Sequence, residues 1–243
     1  MKKAVLLALG VLISFCLTFS ILITAVEAVC YWMPGYFEKE YEKYDVLSQL
    51  PEMSMSREDG LMAVTEHMMK YLRGDADAPE LQIEVMMGGK KRGFFTEREI
   101  LHMEDVRSLF VGAQVLRVAA LIASAVMFAG MLLLAGQKER FRTALSSLAK
   151  GLLLGTGLFL VLCAALGAVI ASDFTSAFIT FHHIFFDNDL WILDSSVDML
   201  INIVPEGFFF DTAARILAIF GSALVLLCAG AAVYLRKAGR KNK

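Results

Sequence analysis

The sequence predicts an all-α integral membrane protein: four transmembrane helices, with an extracytoplasmic cap of helices and loops between the first and second. Three observations carry this. Of 243 residues, 57% are hydrophobic, where soluble domains hold about 45–50%. Four runs are long enough to cross a bilayer core of ~30 Å, which takes roughly 20 apolar residues in a helix. The charges lie between those runs, so the net charge of −2 says little about partners. Residues 1–243 read as one integral membrane domain.

The first span covers about 4–28 and opens with "AVLLALGVLISFCLTFSILITAV", 23 residues without a charge. That run exceeds the ~7–15 residues of a signal-peptide core, and "AVEAVC" after it is a poor cleavage site, so it reads as an uncleaved anchor. The second span covers about 109–136 and is interrupted only by Arg117. The third covers about 149–171 and carries "GLLLG" plus glycines at 157 and 167, small residues that let helices approach closely in lipid. The fourth covers about 212–235 and is interrupted only by Arg215. Cys16, Cys163 and Cys228 fall in spans and Cys30 at a membrane edge. Their spacing suits neither a metal site nor a disulfide framework.

Lys and Arg in short loops mark the cytoplasmic side. Lys2 and Lys3, the cluster Lys138, Arg140, Arg142 and Lys150, and the basic C-terminal tail all fall on one side of a four-span chain. Both termini are therefore expected inside. The segments 30–107 and 172–211 are expected outside; the second carries seven acidic residues and no Lys or Arg.

In the long outer segment, Ser56 and Asp59 make an S-x-x-D helix start. Leu61, Val64, Met68 and Leu72 recur at helical spacing, and Gly74 suits a C-cap. His67 on that helix reads as a surface or packing residue. Leu81, Ile83 and Val85 alternate before Gly88-Gly89, which suits either a short β-hairpin or a basic loop touching anionic headgroups. Thr96 and Glu99 then form a T-x-x-E capping box, with Phe95 and Ile100 spaced as a hydrophobic staple. The helix starting near Glu97 is placed to continue into the second span.

On that helix His102, Asp105, Val106, Leu109, Ala113 and Arg117 share one stripe. Glu99 stands one turn before His102. Arg117 and Arg215 are costly inside a span but lie near its outer end, where they either anchor at the interface or line a polar pocket for an anionic or carbonyl group. Asp211 stands four residues before Arg215, the spacing of an ion pair.

The stretch "FHHIFFDNDLW", 181–191, lies between the third and fourth spans. Adjacent residues cannot face the same way, so at most one of His182 and His183 points into a site. The aromatic residues, Trp191 among them, suit an interfacial belt. A metal site from His182, His183, Asp187 and Asp189 lacks supporting spacing. A transporter would need polar groups at mid-span, where these spans are clean. No G-x-S-x-G nucleophile is present. Histidine acid–base chemistry at the outer leaflet fits these residues best. The opposing classes are a non-catalytic four-span binding or assembly partner and a small-solute transporter.

The blocks "FFTEREILHMEDVR", "FHHIFFDNDLWILD" and "PEGFFFD" resemble those of the bacterial lipoprotein intramolecular transacylase family, across essentially the whole chain. The resemblance implies a multi-pass protein of the bacterial cytoplasmic membrane with its active site on the extracytoplasmic side. Its substrates are diacylglyceryl-modified lipoproteins in membrane lipid. Its reaction moves the sn-2 acyl chain of the S-diacylglyceryl cysteine to the α-amine, giving the lyso form. It implies two required histidines, matched here by His102 and His182, and no cofactor, metal or nucleic-acid partner. Asp105, Glu99, Arg117, Asp187, Asp189, Trp191, Asp211 and Arg215 are the supporting candidates. General-base catalysis and an acyl-imidazole intermediate are both open at this point.

Overall fold

The computed structural model describes residues 1–50, 57–87 and 89–240. The elements run α1 (Lys2–Glu27), a π-turn (Ala28–Trp32), α2 (Tyr36–Lys43), α3 (Val46–Gln49), α4 (Arg57–Arg73), β1 (Glu84–Met87), β2 (Lys90–Gly93), α5 (Glu97–Leu134), α6 (Arg140–Ser172), α7 (Phe174–Phe185), α8 (Leu200–Ile203) and α9 (Glu206–Arg240). Among the described residues α1 with its π-turn, α5, α6 and α9 are long and apolar enough to cross a membrane. The protein is a four-span, all-α membrane protein carrying one small hairpin.

The chain divides into two compact units. The first comprises Met1–Val26, Gln114–Asp173 and Ile216–Lys243. Its core holds Leu6, Ile13, Met131 and Ala144 in one cluster and Ala25, Phe220 and Leu224 in another. Its closest approach is between α1 and α6: a Cβ on Gly151 would lie 2.3 Å from the Gly10 carbonyl carbon, and one on Gly155 2.7 Å from Ser14 Oγ. Ser14 and Thr156 share a buried hydrogen bond of 3.1 Å at the same crossing. The "GLLLG" pair thus packs helices, as expected of small residues in lipid. Gly157 and Gly167 meet no heavy atom within 4 Å. Val115, Ile122, Val126, Val161, Leu166 and Leu226 stand exposed along the helices, a belt of apolar surface that a soluble monomer rarely shows.

The second unit comprises Glu27–Ala113 and Phe174–Arg215. On α4, Leu61, Val64, Met68 and Leu72 are buried as their spacing predicts. Gly74 ends the helix at φ 82°, and the Asp75 N–H returns to the Lys70 carbonyl, a Schellman closure. The expected Ser56 cap and the turn residue Gly88 lie outside the described residues. The alternation before the glycines does fold as a hairpin: β1 and β2 pair antiparallel, Glu84 opposite Gly93 and Met87 opposite Lys90. Beyond it, the Gln82 side-chain amide bonds the Phe95 carbonyl (2.9 Å) and the Phe95 N–H (3.2 Å), holding the chain extended to the start of α5.

Candidate active site

Two helices of the second unit present the candidate residues. α5 begins with the expected capping box. The Thr96 N–H donates to Glu99 Oε2 at 2.6 Å, and the Glu99 N–H donates to Thr96 Oγ1 at 3.3 Å. The other Glu99 oxygen accepts the Leu200 N–H, and Thr96 Oγ1 donates to Asp198 Oδ1 at 2.9 Å. Arg98 donates to the Asp189 carbonyl, and Asn188 Nδ2 donates to Asp105 Oδ2 at 2.9 Å. The first turns of α5 are therefore fastened to the 188–200 loop, and His102 rises on the same side of the helix. Glu99 is fully buried, and its carboxylate serves backbone donors rather than His102; burial holds its pKa above the usual carboxylate value.

α7 ends at Phe185, with His182 and His183 in its last turn. One step along a helix turns a side chain by about 100°. His182 is buried (7% exposed) and His183 is exposed. The His102 ring (6% exposed) lies 6.0 Å from the His182 ring, centroid to centroid, at 34°. Aromatic rings enclose the pair. Phe186 meets His102 edge-on at 5.2 Å, Phe178 lies 4.2 Å from His182, and Trp191 stacks on His182 at 4.7 Å and 30°.

The tautomer of His182 follows from one contact. Its Nδ1 lies 2.8 Å from the Phe178 carbonyl oxygen. A carbonyl only accepts, so neutral His182 carries its proton on Nδ1 and keeps a lone pair on Nε2. Seven ionisable side chains, His102 among them, crowd residues 97–107, so the membrane-spanning stretch of α5 starts after them and His102 precedes it. Burial above all, together with the neighbouring His182 and against the opposing Asp105, pushes His102 down to about 4. Burial also lowers His182; the bond to Phe178 opposes, and His183 adds to the lowering. For both rings burial favours the neutral form.

The other candidates divide. Asp105 and Trp191 stand in the site. Asp187 and Asp189 are exposed. Arg215 and Asp211 do not pair with one another; each turns to α2. Arg215 Nη2 bonds Glu40 Oε1 at 3.1 Å and its guanidinium lies over the Tyr36 ring, while Asp211 accepts from Lys43 and, at 2.7 Å, from the Tyr44 hydroxyl. These longer-range partners replace the i,i+4 pair because α2 brings a buried carboxylate and a cation against α9. Arg117 follows on α5 within the first unit. His67 bonds the Glu80 carbonyl at 2.8 Å, a packing role.

Sequence reading missed Asn188, which sits between the two aspartates it singled out, and Glu40. Neither carries a local signal; their partners lie 83 and 175 positions away. A cavity of ≈ 980 Å³ follows the opposite side of α5, lined by Tyr71, Pro79, Leu81, Glu104, Arg107 and Val111. Among the described residues no three His, Cys, Asp or Glu side chains gather as a metal site.

Four spanning helices and a buried, aromatic-walled imidazole pair define a membrane-integral protein with the makings of an acid–base site. The family model for the lipoprotein intramolecular transacylase Lit matches residues 11–209, and the chain belongs to that family of transacylases. No match was found among the curated proteins. Among solved structures, the chain resembles the membrane-integral lipoprotein intramolecular transacylase Lit from Bacillus cereus. The identity is 22%, covering 96% of this chain and 97% of that one, with a TM-score of 0.71. A histidine-to-alanine variant of that protein gives 20% identity, coverage of 95% and 93%, and a TM-score of 0.67. A histidine-to-arginine variant gives 20%, 97% and 94%, and 0.66. At such identities the likeness carries the fold.

Proposed function

We propose that this protein moves the sn-2 acyl chain of an S-diacylglyceryl cysteine to that cysteine's α-amine, on the extracytoplasmic side of the bacterial cytoplasmic membrane. The observation that carries the reading is the buried pair of imidazoles with ring centroids 6.0 Å apart. It supports a proton-transfer site, and membership of the family supplies the class of reaction.

Ester and amine belong to one molecule, so the main task is to bring them together. The substrate supplies its own nucleophile, which agrees with a site whose walls are aromatic and whose ionisable groups are acid–base groups. His182 Nε2, held as the lone pair, removes a proton from the α-ammonium. The freed amine attacks the ester carbonyl carbon; the C–N bond forms, the C–O bond to glycerol breaks, the departing oxygen takes a proton, and the nitrogen gives up its surplus proton, so that one proton is released overall. His102 polarises the reacting group or protonates that oxygen. Asp105 holds the loop after α7 through Asn188 and so keeps the two rings in register. Arg215 and Asp211, each fixed on α2, hold the headgroup region.

The test is expression in a bacterial host lacking other lipoprotein N-acyltransferases, with mass spectrometry of a lipoprotein N-terminal peptide. The wild-type chain yields N-acyl S-monoacylglyceryl cysteine. His102→Ala and His182→Ala each abolish it, and His183→Ala, altering an exposed ring, lowers it by less than about threefold. Product formed by either of the first two variants at the wild-type level would remove the histidine pair from the mechanism.

A further inference from the structure

The wall beside His182 contains a hydrogen-bond donor that the protein itself does not use. Among the described residues Trp191 Nε1 is buried and has no partner. Indole N–H is a donor only, and a buried donor in a native fold ordinarily finds an acceptor. Ring packing leaves the N–H itself unaccounted for. The rest of the wall around His182 is built from Phe178, Phe181 and Phe186, rings that carry no polar atom.

Among the described residues His102 Nδ1 is likewise buried without a partner, but an imidazole nitrogen can carry or lack the proton, whereas the indole N–H is always a donor. The other nearby donors are committed elsewhere. His182 Nδ1–H is bonded to the Phe178 carbonyl, Asn188 Nδ2 to Asp105 and Arg98 Nη2 to the Asp189 carbonyl. When an amine attacks an ester, negative charge develops on the carbonyl oxygen, and a fixed donor aimed at it in a dry site is a large source of rate. The Trp191 ring stacks on the His182 imidazole at 4.7 Å between centroids, so the indole N–H belongs to the same site as the ring that takes the proton.

We propose that Trp191 Nε1–H is the donor to the ester carbonyl oxygen of the migrating acyl chain; this rests on the transacylase reading above. As the amine nitrogen adds to the carbonyl carbon, the C=O π pair moves onto the oxygen and the indole N–H holds it. The pair returns as the glycerol C–O bond breaks: the departing oxygen takes up the proton held by the imidazole pair, the emptied imidazole takes the nitrogen's surplus proton and passes it to water, and the neutral amide forms. The indole gains and loses no proton, so Trp191 acts on the transition state rather than in proton transfer.

The experiment uses the full chain in lipid nanodiscs with a synthetic S-diacylglyceryl-cysteine lipopeptide, following N-acyl product by mass spectrometry. Trp191→Phe keeps a stacking ring and removes the donor. The expected result is a fall in kcat of about 10²–10³-fold, with KM within about threefold and an unchanged melting temperature. Trp32→Phe, at an exposed position, retains wild-type kinetics. Should Trp191→Phe fold poorly, 3-benzothienylalanine at position 191 exchanges the N–H for sulfur at nearly constant shape, and the same fall is expected. A wild-type kcat in either variant, or a loss confined to KM, overturns the assignment while leaving the transacylase reading intact. Absence of N-acyl product from the wild-type chain itself would overturn both.

Discussion

A neutral imidazole in a dry site is a base only while it stays neutral, and here burial protects that state. Both rings have their pKa lowered chiefly by loss of solvent. Protonation removes the lone pair, so activity falls as pH drops through the lowered His182 value, not at the ordinary imidazole value near ~6.5. We predict an acidic limb of kcat/KM centred below about 6.5, measured with a synthetic lipopeptide in nanodiscs; a limb centred at or above that pH would contradict it. Part of this site was legible residue by residue. Adjacency alone told that His182 and His183 diverge, because a helix rotates successive side chains apart. It did not tell that Asn188, between two more conspicuous aspartates, is the residue that reaches Asp105. An amide in a loop has no periodicity to betray its partner.

At the scale of elements, local grammar was read well where it is local in origin. The Thr96–Glu99 box, the Gly74 cap and the helical burial on α4 depend on residues three to five positions apart. What such grammar does not contain is which glycine meets a neighbour. Gly151 touches Gly10, whereas Gly157, six residues on, meets nothing. Gly151→Ala drives a Cβ into backbone and is predicted to destabilise by about 1–3 kcal/mol, the cost of overpacking. Gly157→Ala should fall within about 0.5 kcal/mol of wild type, as surface changes do. Thermal unfolding of the two detergent-solubilised variants checks both; equal melting temperatures would argue against the α1–α6 crossing.

At the scale of the whole molecule, the charge pattern carries a directional expectation: His102, His182 and the acidic 172–211 segment outside, the basic tail inside. In a chain with its four cysteines changed to alanine, Val197→Cys, exposed in the loop after α7, should react with a membrane-impermeant maleimide on intact cells. Lys237→Cys, near the C-terminus, should react only after lysis. The reverse pattern would place the imidazoles on the cytosolic face and end the case for lipoprotein chemistry.

The chain by itself determined the class of fold. Span length, apolar content and capping are short-range properties, and they mark four membrane helices whatever those helices later touch. It also placed His102 on a helix stripe and allowed at most one of His182 and His183 into a site, the choice of His182 coming from the family resemblance. Only the tertiary structure decided that the two rings meet, that the second Glu99 oxygen goes to the Leu200 N–H rather than to an imidazole, and that Arg215 turns to Glu40. Those pairings join residues 80 to 175 positions apart, and contact at such separations depends on how packed elements cross, which no window of sequence encodes.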